Sequence, residues 1–328
     1  MKSPESTAAG RPGKTPTYGE LVRWFCMIWA RREREIQRQS GQAAHFDLLA
    51  WGRRYLPGHF SRPPNDMHRW LAQQLATLHT ARGTKINLLG PRGNAKSTLG
   101  TLAYPLWAAL EEWEPYIWIV SDTMHQARAH LENIKSELTD NPLLAAAYPE
   151  AAAAGPVWRS GTIVLRTGVT IEAYGTGQRI RGRRRRAHRP TLIVCDDLQN
   201  DGHMQSALQR DHSRNWFHGT LLKAGTVRTN VVNLATALHR EALAMELSGN
   251  PGWTSRTFQA IQSWPANMPL WQEWETLYTD LARPDYQQAA RRFYQEHHAE
   301  MDAGAVVLWP EEEDLYTLMY RPIRPLLV

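Results

Sequence analysis

Residues 90–98 of the chain read GPRGNAKST and directly follow a short apolar run. A loop that binds nucleotide phosphates has the pattern Gly, four residues, Gly, Lys, and then Ser or Thr. Gly90, Lys96 and Ser97 stand at the required positions, whereas Ala95 occupies the place of the second glycine. The segment therefore predicts a phosphate-binding loop with one irregular position.

The chemistry of such a loop depends on its backbone. Its N–H groups turn toward phosphate oxygens at the N-terminus of a helix, where the helix dipole also favours negative charge. Gly93 supplies the positive φ that a concave loop needs, and Ala95 fits the loop if its own φ is negative. Lys96 then contacts the β- and γ-phosphates, and Ser97 is a ligand of Mg²⁺. The alternative is an ordinary Gly/Pro turn between a strand and a helix.

The composition limits the class of protein. With 328 residues the chain can bury a sizeable core, and its length predicts roughly two domains or one large domain with appendages. No apolar run approaches membrane-spanning length, and residues 1–17 lack the apolar centre of a secretory leader. Cys26 and Cys195 form neither a disulfide framework nor a metal pattern, which favours a reducing compartment. The net charge of +6 indicates an acidic partner, nucleic acid being the usual one.

Strand and helix signals alternate through the middle of the chain. Apolar runs at 86–89, 116–120, 191–195 and 230–235 predict strands, and the periodic segment 125–138 predicts a helix. The run 191–195 is apolar on both faces, as is typical of a central parallel strand. The alternation predicts an α/β fold with a mainly parallel sheet flanked by helices. Residues 162–166 and 169–174 predict a hairpin, and 254–260 predicts a further strand.

The flanking regions differ in composition from this α/β part. We expect a disordered tail at 1–17, a helical region at 18–60, the loop-bearing domain at 61–260 and a linker or subdomain at 261–328. The last region is rich in tryptophan and scattered charge, and it contains a polar helix or two between 278 and 301.

Two aspartates follow the apolar strand that ends at residue 195. Asp196 is expected at the carboxyl edge of the sheet, where open α/β sheets bind ligands, and is suited to hold the hydration shell of Mg²⁺. Asp197 is suited to polarise a water molecule. Alternatively, the pair ends a strand and begins a turn. Because a phosphate loop lies upstream, we favour the interpretation that the two aspartates belong to a nucleotide site. We expect Lys96 and Asp196 to converge, across adjacent strands, on one magnesium-bound triphosphate.

The segment from Thr236 to His239 follows the predicted strand 230–235. A hydroxyl group at this edge can sense a γ-phosphate and report its hydrolysis to the rest of the fold. Equally, Thr236 is a possible cap for a helix predicted at 241–247. The two interpretations stay open at this point.

Residues 177–190 carry seven arginines immediately before the acidic strand. Such a run cannot be buried without partners, so it predicts an exposed loop. The loop is suited to bind DNA phosphates. Alternatively, one of its arginines is suited to act as an arginine finger on a transferring phosphoryl group. Arg181, placed between Ile180 and Gly182, is the better candidate for a positioned role. The remaining alternative is a solvated surface loop without a ligand.

Five segments, taken in order, resemble the ATPase domain of the large terminase subunit of tailed bacteriophages. They read PRGNAKST, YIWIVSDTMHQA, GQRIRG, RPTLIVCDD and ATALH. The resemblance covers about residues 60–260, and the tract 304–310 is similar to that family's connection to its second domain. It implies an ASCE-type P-loop NTPase that uses ATP and Mg²⁺ to drive double-stranded DNA into a procapsid. It also implies a homo-oligomeric ring, a small terminase subunit and a portal protein as partners, and the cytoplasm of a bacterial host as location.

The resemblance also assigns residues. Arg92 matches a basic residue that the family has ahead of the loop's glycine, and Asp197 stands where glutamate is usual, one methylene shorter. Gln199, at the alternative downstream position, cannot act as a base. The residues assigned to nucleotide binding are Gly90, Arg92, Gly93, Asn94, Ala95, Lys96, Ser97 and Thr98. Those assigned to catalysis are Asp196, Asp197, Arg181, Thr236 and His239, with Ser97 and Asp196 as the metal ligands. His68 is a candidate for contact with adenine.

Large terminases continue into a nuclease domain that needs several carboxylates on strands to hold two metals. The acidic run 311–316 does not form such a pattern, so we expect an ATPase without nuclease activity. Two other functions compete with the motor interpretation. One is a different P-loop translocase such as a helicase, and the other is a non-catalytic protein that binds DNA or assists assembly.

Overall fold

The computed structural model describes residues 47–200, 202 and 206–320. The predicted tail at 1–17, most of the helical region at 18–60, and Cys26 lie outside these ranges. Within the described residues, no helix combines the length and apolarity that crossing a bilayer requires.

Helices and strands alternate along most of the described chain. The strands are β1 (Lys85–Leu89), β2 (Tyr116–Ser121), β3 (Val157–Trp158), β4 (Thr162–Val164), β5 (Thr170–Gly175), β6 (Leu192–Asp196), β7 (Asn230–Ala235), β8 (Thr254–Thr257), β9 (Ile261–Ser263) and β10 (Val306–Val307). The helices are α1 (Leu48–Tyr55), α2 (Asp66–Ala76), α3 (Tyr104–Leu110), α4 (Met124–Asp140), α5 (Pro142–Ala147), α6 (Ala207–Trp216), α7 (Leu222–Ala224), α8 (Leu243–Ser248), α9 (Met268–Thr279), α10 (Tyr286–Met301) and α11 (Leu315–Tyr320). Two π-helical segments, Thr98–Ala103 and Phe217–Leu221, lead into α3 and α7.

Eight strands form one sheet in the order β3-β4-β5-β2-β6-β7-β1-β8. In this order, every neighbouring pair between β5 and β8 is parallel. The predicted hairpin is the antiparallel pair β4–β5, which lies next to the edge strand β3. The predicted α/β class with a mainly parallel sheet is therefore confirmed. Strand β8, at the opposite edge, pairs in parallel with β1.

Both faces of the sheet are covered by helices, which explains why its central strands are apolar throughout. On β2, Ile117 and Ile119 belong to the apolar cluster that includes α2, α3 and α4. Trp118 and Val120 belong to the cluster on the other face, with α6 and the segment Phe217–Leu221. Burial of each large apolar side chain contributes about 1.5–3 kcal/mol, so the two clusters hold the strands as a rigid frame for their carboxyl edge.

Residues 261–320 have an apolar cluster of their own around Trp271 and Trp274, beside the antiparallel pair β9–β10. The region also contacts the main sheet domain. The indole N–H of Trp309 donates to the Pro63 carbonyl at 2.9 Å, and Glu312 forms an ion pair with Arg62. The end of this region therefore lies beside the segment that precedes α2.

Candidate functional site

Three strand ends meet at the carboxyl edge of the sheet. The loop 90–97 follows β1, Asp196 ends β6, and Thr236 follows β7. Because β7 lies between β1 and β6, the expectation that Lys96 and Asp196 sit on adjacent strands was wrong. The three strands run parallel, so their carboxyl ends still share one edge, and the strand between them brings Thr236 into the site.

Lys96 is the centre of the loop. It is only 6% exposed, and its ammonium group donates to the carbonyls of Gly90 (3.1 Å) and Pro91 (2.9 Å) and to the hydroxyl of Thr236 (3.2 Å). Burial lowers the pKa of Lys96, and the negative charges of the two aspartates, 196 and 197, oppose this shift. The nearby charge of Arg92 lowers the same pKa further, so two basic groups face this end of the loop. A buried cation held by neutral acceptors is well placed to bind an anion.

The loop backbone takes the left-handed conformation twice. Gly93 has φ +78° as predicted, but Ala95 has φ +50°, so the expectation of a negative φ at Ala95 was wrong. This conformation costs a residue with a side chain roughly 1–2 kcal/mol, which explains why the usual pattern has glycine there. At Gly90 a Cβ atom would lie 2.5 Å from the Met67 sulfur, so the close packing under the loop requires glycine.

His68 supports the loop from α2. Its Nδ1 accepts from the Asn65 N–H (3.2 Å), so Nε2 carries the proton and donates to the Asn94 carbonyl at 2.8 Å. Burial lowers its pKa, which favours this neutral tautomer. The ring also lies 4.8 Å, edge to face, from Trp309. Both ring nitrogens therefore hold the chain, while the ring itself lines a cavity beside the loop. Contact of His68 with adenine stays a prediction.

The helix predicted after the loop is π-helical from Thr98 to Ala103 before it continues as α3. At Gly100 a Cβ atom would lie 2.5 Å from a methyl group of Leu234, so a larger residue there would force the Leu234 side chain to shift. The hydroxyl of Thr101 donates to Asp196 Oδ2 at 2.8 Å. Sequence reasoning paired Ser97 with Asp196 as metal ligands and missed Thr101, which lies four residues further along the chain.

Asp196 is 1% exposed, and its two oxygens have different surroundings. Oδ2 accepts from Thr101 and lies 3.3 Å from Nε2 of His130 on α4. Oδ1 is buried and has no hydrogen-bond partner among the described residues. His130 was not predicted, because a single histidine on a helix has no distinguishing sequence signal.

Asp197 has φ +44° and directs its side chain toward the end of β7. Its Oδ1 accepts from the backbone N–H of Thr236 at 3.0 Å and from its hydroxyl at 3.4 Å. Burial raises the pKa of Asp197, and the charge of Asp196 raises it further, whereas Lys96 and the bonds from Thr236 lower it. The net increase makes Asp197 a stronger proton acceptor than an ordinary aspartate.

Thr236 and His239 have different surroundings. The interpretation of Thr236 as a helix cap was wrong, because α8 begins at Leu243, and the Leu243 N–H donates to the side chain of Gln199 at 2.8 Å. His239 accepts from the Glu241 N–H at 3.0 Å and so stabilises the turn that leads to α8. Of the two, only Thr236 contacts Lys96 and Asp197.

The arginine-rich loop is exposed, as predicted, but it is anchored at several points. Arg181 donates to the Gly219 carbonyl (3.1 Å), and Arg189 donates to the Ala224 carbonyl (3.2 Å). The guanidinium of Arg183 lies 5.5 Å from the centre of the Tyr174 ring. Ile180 is fully buried, which fixes the start of the loop. Arg181 is thus held against the π-helical segment Phe217–Leu221 rather than against the phosphate loop.

A cavity of about 210 Å³ opens beside the loop. Its lining includes Ala95 and Thr98 of the loop and the aromatic side chains of Phe60 and Trp309. The ion pair of Arg62 and Glu312 lies at the same cavity. Sequence reasoning missed these aromatic residues, since neither lies near the loop in the chain.

The fold is of the α/β class, with a mainly parallel sheet in which β7 lies between the strand that precedes the loop, β1, and the strand that ends at Asp196, β6. No family model matches the chain, and no curated protein matches it. Solved structures similar to the chain include the large terminase ATPase domain of Thermus phage P74-26 and an arginine-to-alanine mutant of the same domain. They have 12% and 13% sequence identity and TM-scores of 0.39 and 0.42, and both cover 74% of this chain and 96% of theirs. Similarity this weak does not define a family.

Proposed function

We propose that the chain is a Mg²⁺-dependent, DNA-stimulated ATPase that drives double-stranded DNA into a procapsid, as the motor half of a large terminase. The observation that carries the proposal is the set of contacts around Thr236. One hydroxyl group accepts from the buried ammonium of Lys96 and donates to the carboxylate of Asp197, beside Asp196. A phosphate anchor, a base and a metal carboxylate thus lie within one small volume.

The loop is suited to hold the triphosphate. Gly93 and Ala95, both at positive φ, shape a concave backbone at the start of a helix, where N–H groups bind phosphate oxygens. Lys96 offsets the charge of the β- and γ-phosphates. It exchanges its carbonyl acceptors for phosphate oxygens, which bind an ammonium more strongly.

The residues present fit Mg²⁺. This ion binds one or two carboxylates together with phosphates and keeps several waters, so it needs no cage of protein ligands. The described residues contain no cluster of three or more histidine, cysteine, aspartate or glutamate side chains, and the buried Oδ1 of Asp196 lacks a partner. Asp196 and Ser97 would hold the metal, which when bound offsets charge on the phosphate oxygens. Asp197 would accept the proton of the attacking water, and its raised pKa suits that role.

The cavity beside Thr98 is suited to the nucleoside. It offers the aromatic surfaces of Phe60 and Trp309 and the polar groups of Arg62 and Glu312. Aromatic walls with a few placed polar groups are typical of sites for flat heterocycles. Its position next to the phosphate loop supports binding of the nucleoside there.

The arginine-rich loop is the proposed DNA contact. Arginines binding DNA phosphates release counterions, which gives affinity without sequence preference. Arg181 is exposed and held at Gly219, so it is suited to reach a neighbouring subunit as a finger rather than its own phosphate loop. The resemblance of the motifs to large terminases implies a ring of such subunits, acting in the host cytoplasm with a portal protein and a small terminase subunit.

Steady-state phosphate release tests the proposal. We expect the wild type to hydrolyse ATP only with Mg²⁺, faster with double-stranded DNA, and we expect Lys96→Ala to lose the activity. Lys223→Ala, a change at an exposed lysine on α7, is the control and should behave as the wild type. Equal background rates in all samples would overturn the proposal. A protein that binds DNA but does not respond to ATP would instead be the non-catalytic alternative, and one that unwinds a tailed duplex would be a helicase.

A further inference from the structure

A shell of polar side chains surrounds Asp196 that lies outside the set of residues predicted for catalysis. Thr101 comes from the π-helical segment, His130 from α4 and Ser121 from the end of β2. Ser121 is paired with Asp196 in the parallel register of β2 and β6. The preceding residues, Val120 and Cys195, belong to the cluster on the opposite face, so Ser121 and Asp196 point to the face that α4 covers.

The two carboxylate oxygens of Asp196 have different contacts with these side chains. Oδ2 is fixed by the Thr101 hydroxyl at 2.8 Å and lies 3.3 Å from His130 Nε2. Oδ1 has no hydrogen-bond partner, and the same holds for Ser121 Oγ and for His130 Nε2 among the described residues. All three atoms are buried. Buried polar atoms without partners are rare, so a cluster of three marks a place where a ligand or ordered water belongs.

The helix geometry explains how Thr101 reaches the carboxylate. Thr101 follows Ser97 by four residues, and its hydroxyl reaches Asp196 at the end of β6. The π-helical turn begins at Thr98, directly after Ser97. Such turns occur often at functional sites, where they redirect side chains.

We propose that Thr101, Ser121 and His130 are positioning residues for Asp196, which fix the carboxylate through Oδ2 and present Oδ1 to the hydration shell of Mg²⁺. The inference rests on the proposed function and deepens it. Thr101 holds the carboxylate through its hydrogen bond to Oδ2, and His130 Nε2 lies 3.3 Å from the same oxygen. Ser121, which pairs with Asp196 in the sheet register, adds a buried hydroxyl group on the same face of the sheet. Groups that orient a metal-binding carboxylate affect metal affinity about 10- to 100-fold when they are removed.

The test measures binding of a fluorescent ATP analogue to the full chain, first without metal and then during titration with Mg²⁺. We expect Thr101→Val to raise the half-saturating Mg²⁺ concentration at least about 10-fold, because the carboxylate loses its fixed orientation. Affinity for the analogue without metal should stay within about twofold of wild type, since no phosphate contact is removed. Thr101→Ser keeps the hydroxyl and should restore the wild-type Mg²⁺ dependence. Thr139→Val on α4, whose hydroxyl binds only helix carbonyls, is the matched control.

His130→Gln and Ser121→Ala are independent tests. They still test the proposal if Thr101→Val fails to fold. Each should raise the half-saturating Mg²⁺ concentration in the same direction as Thr101→Val. If Mg²⁺ strengthens binding in the wild type but all three variants remain within about twofold of it, the positioning role is wrong and the proposed function stands. If the wild type binds no nucleotide, or binds it without any effect of Mg²⁺, the proposed function itself is overturned.

Discussion

Lys96 and Asp197 contact the same hydroxyl group, that of Thr236, from opposite sides. The ammonium lies 3.2 Å and the carboxylate oxygen 3.4 Å from it. Lys96 lies in the loop after β1, Asp197 directly follows β6, and Thr236 directly follows β7, the strand between those two. An anion that draws Lys96 away from Thr236 therefore changes the hydrogen bonding of Asp197 at the same time.

This relationship predicts the effect of Thr236→Val. The variant removes the hydroxyl that links the loop to Asp197 but removes no group that contacts phosphate in our proposal. We expect the maximal rate of ATP hydrolysis to fall about 100-fold, within the range for disturbed acid–base catalysis, while nucleotide affinity changes little. Single-turnover kinetics and equilibrium binding separate the two quantities. Thr236→Ser should retain most of the activity, and an equal loss in Thr236→Ser and Thr236→Val would contradict the role of the hydroxyl.

The raised pKa of Asp197 predicts the pH dependence of hydrolysis. Burial and the charge of Asp196 raise this pKa above the ordinary aspartate value, and only the deprotonated form accepts a proton. The rate should therefore fall as the pH decreases through this raised pKa and reach a plateau above it. A pH profile of kcat/KM over the acidic range checks this, with circular dichroism to confirm that the chain stays folded. Asp197→Asn should have no measurable rate at any pH, and a wild-type midpoint at or below the ordinary value would contradict the prediction.

The positive φ of Ala95 predicts that a glycine at this position stabilises the fold. Its positive φ costs roughly 1–2 kcal/mol, which Ala95→Gly removes, while glycine loses about 0.5–1 kcal/mol through the greater entropy of its unfolded chain. We expect the free energy of unfolding to rise by about 0.5–1 kcal/mol in urea titrations followed by tryptophan fluorescence. Ala129→Gly, on the exposed face of α4, is the control and should lower it by about 1 kcal/mol. A decrease in both variants would mean that Ala95 is unstrained.

The sheet could be predicted from the sequence because its signals are local. The predicted strand 230–235 is β7 without any shift, and Asp196 is the last residue of β6. Both strands are buried on two faces, and a polar residue marks the carboxyl end of each, Thr236 just after β7 and Asp196 at the end of β6. The order of the strands could not be predicted, because nothing in β7 itself places it between β1 and β6. That order puts Thr236 within reach of both Lys96 and Asp197.

The parts of the site that were missed depend on contacts between distant residues. Thr101 and Asp196 are 95 residues apart, and Trp309 reaches the Pro63 carbonyl across 246 residues. The positive φ at Ala95 is a conformation that alanine disfavours by itself, and the surrounding loop imposes it. Local propensity therefore predicted the opposite sign.

The arginine-rich loop predicts a change in the salt dependence of DNA binding. Arg184 is exposed and Arg185 is partly exposed, whereas Arg181, Arg183 and Arg189 contact other parts of the chain. The double variant Arg184→Gln with Arg185→Gln should weaken binding to any duplex sequence and reduce the slope of log K against log salt by about 1 to 2, because each lost phosphate contact removes about 0.9. Fluorescence anisotropy at several salt concentrations measures this slope. Arg291→Gln, at an exposed position of α10, serves as the control for a single lost cation elsewhere. An unchanged slope in the double variant would place the DNA contact on another surface.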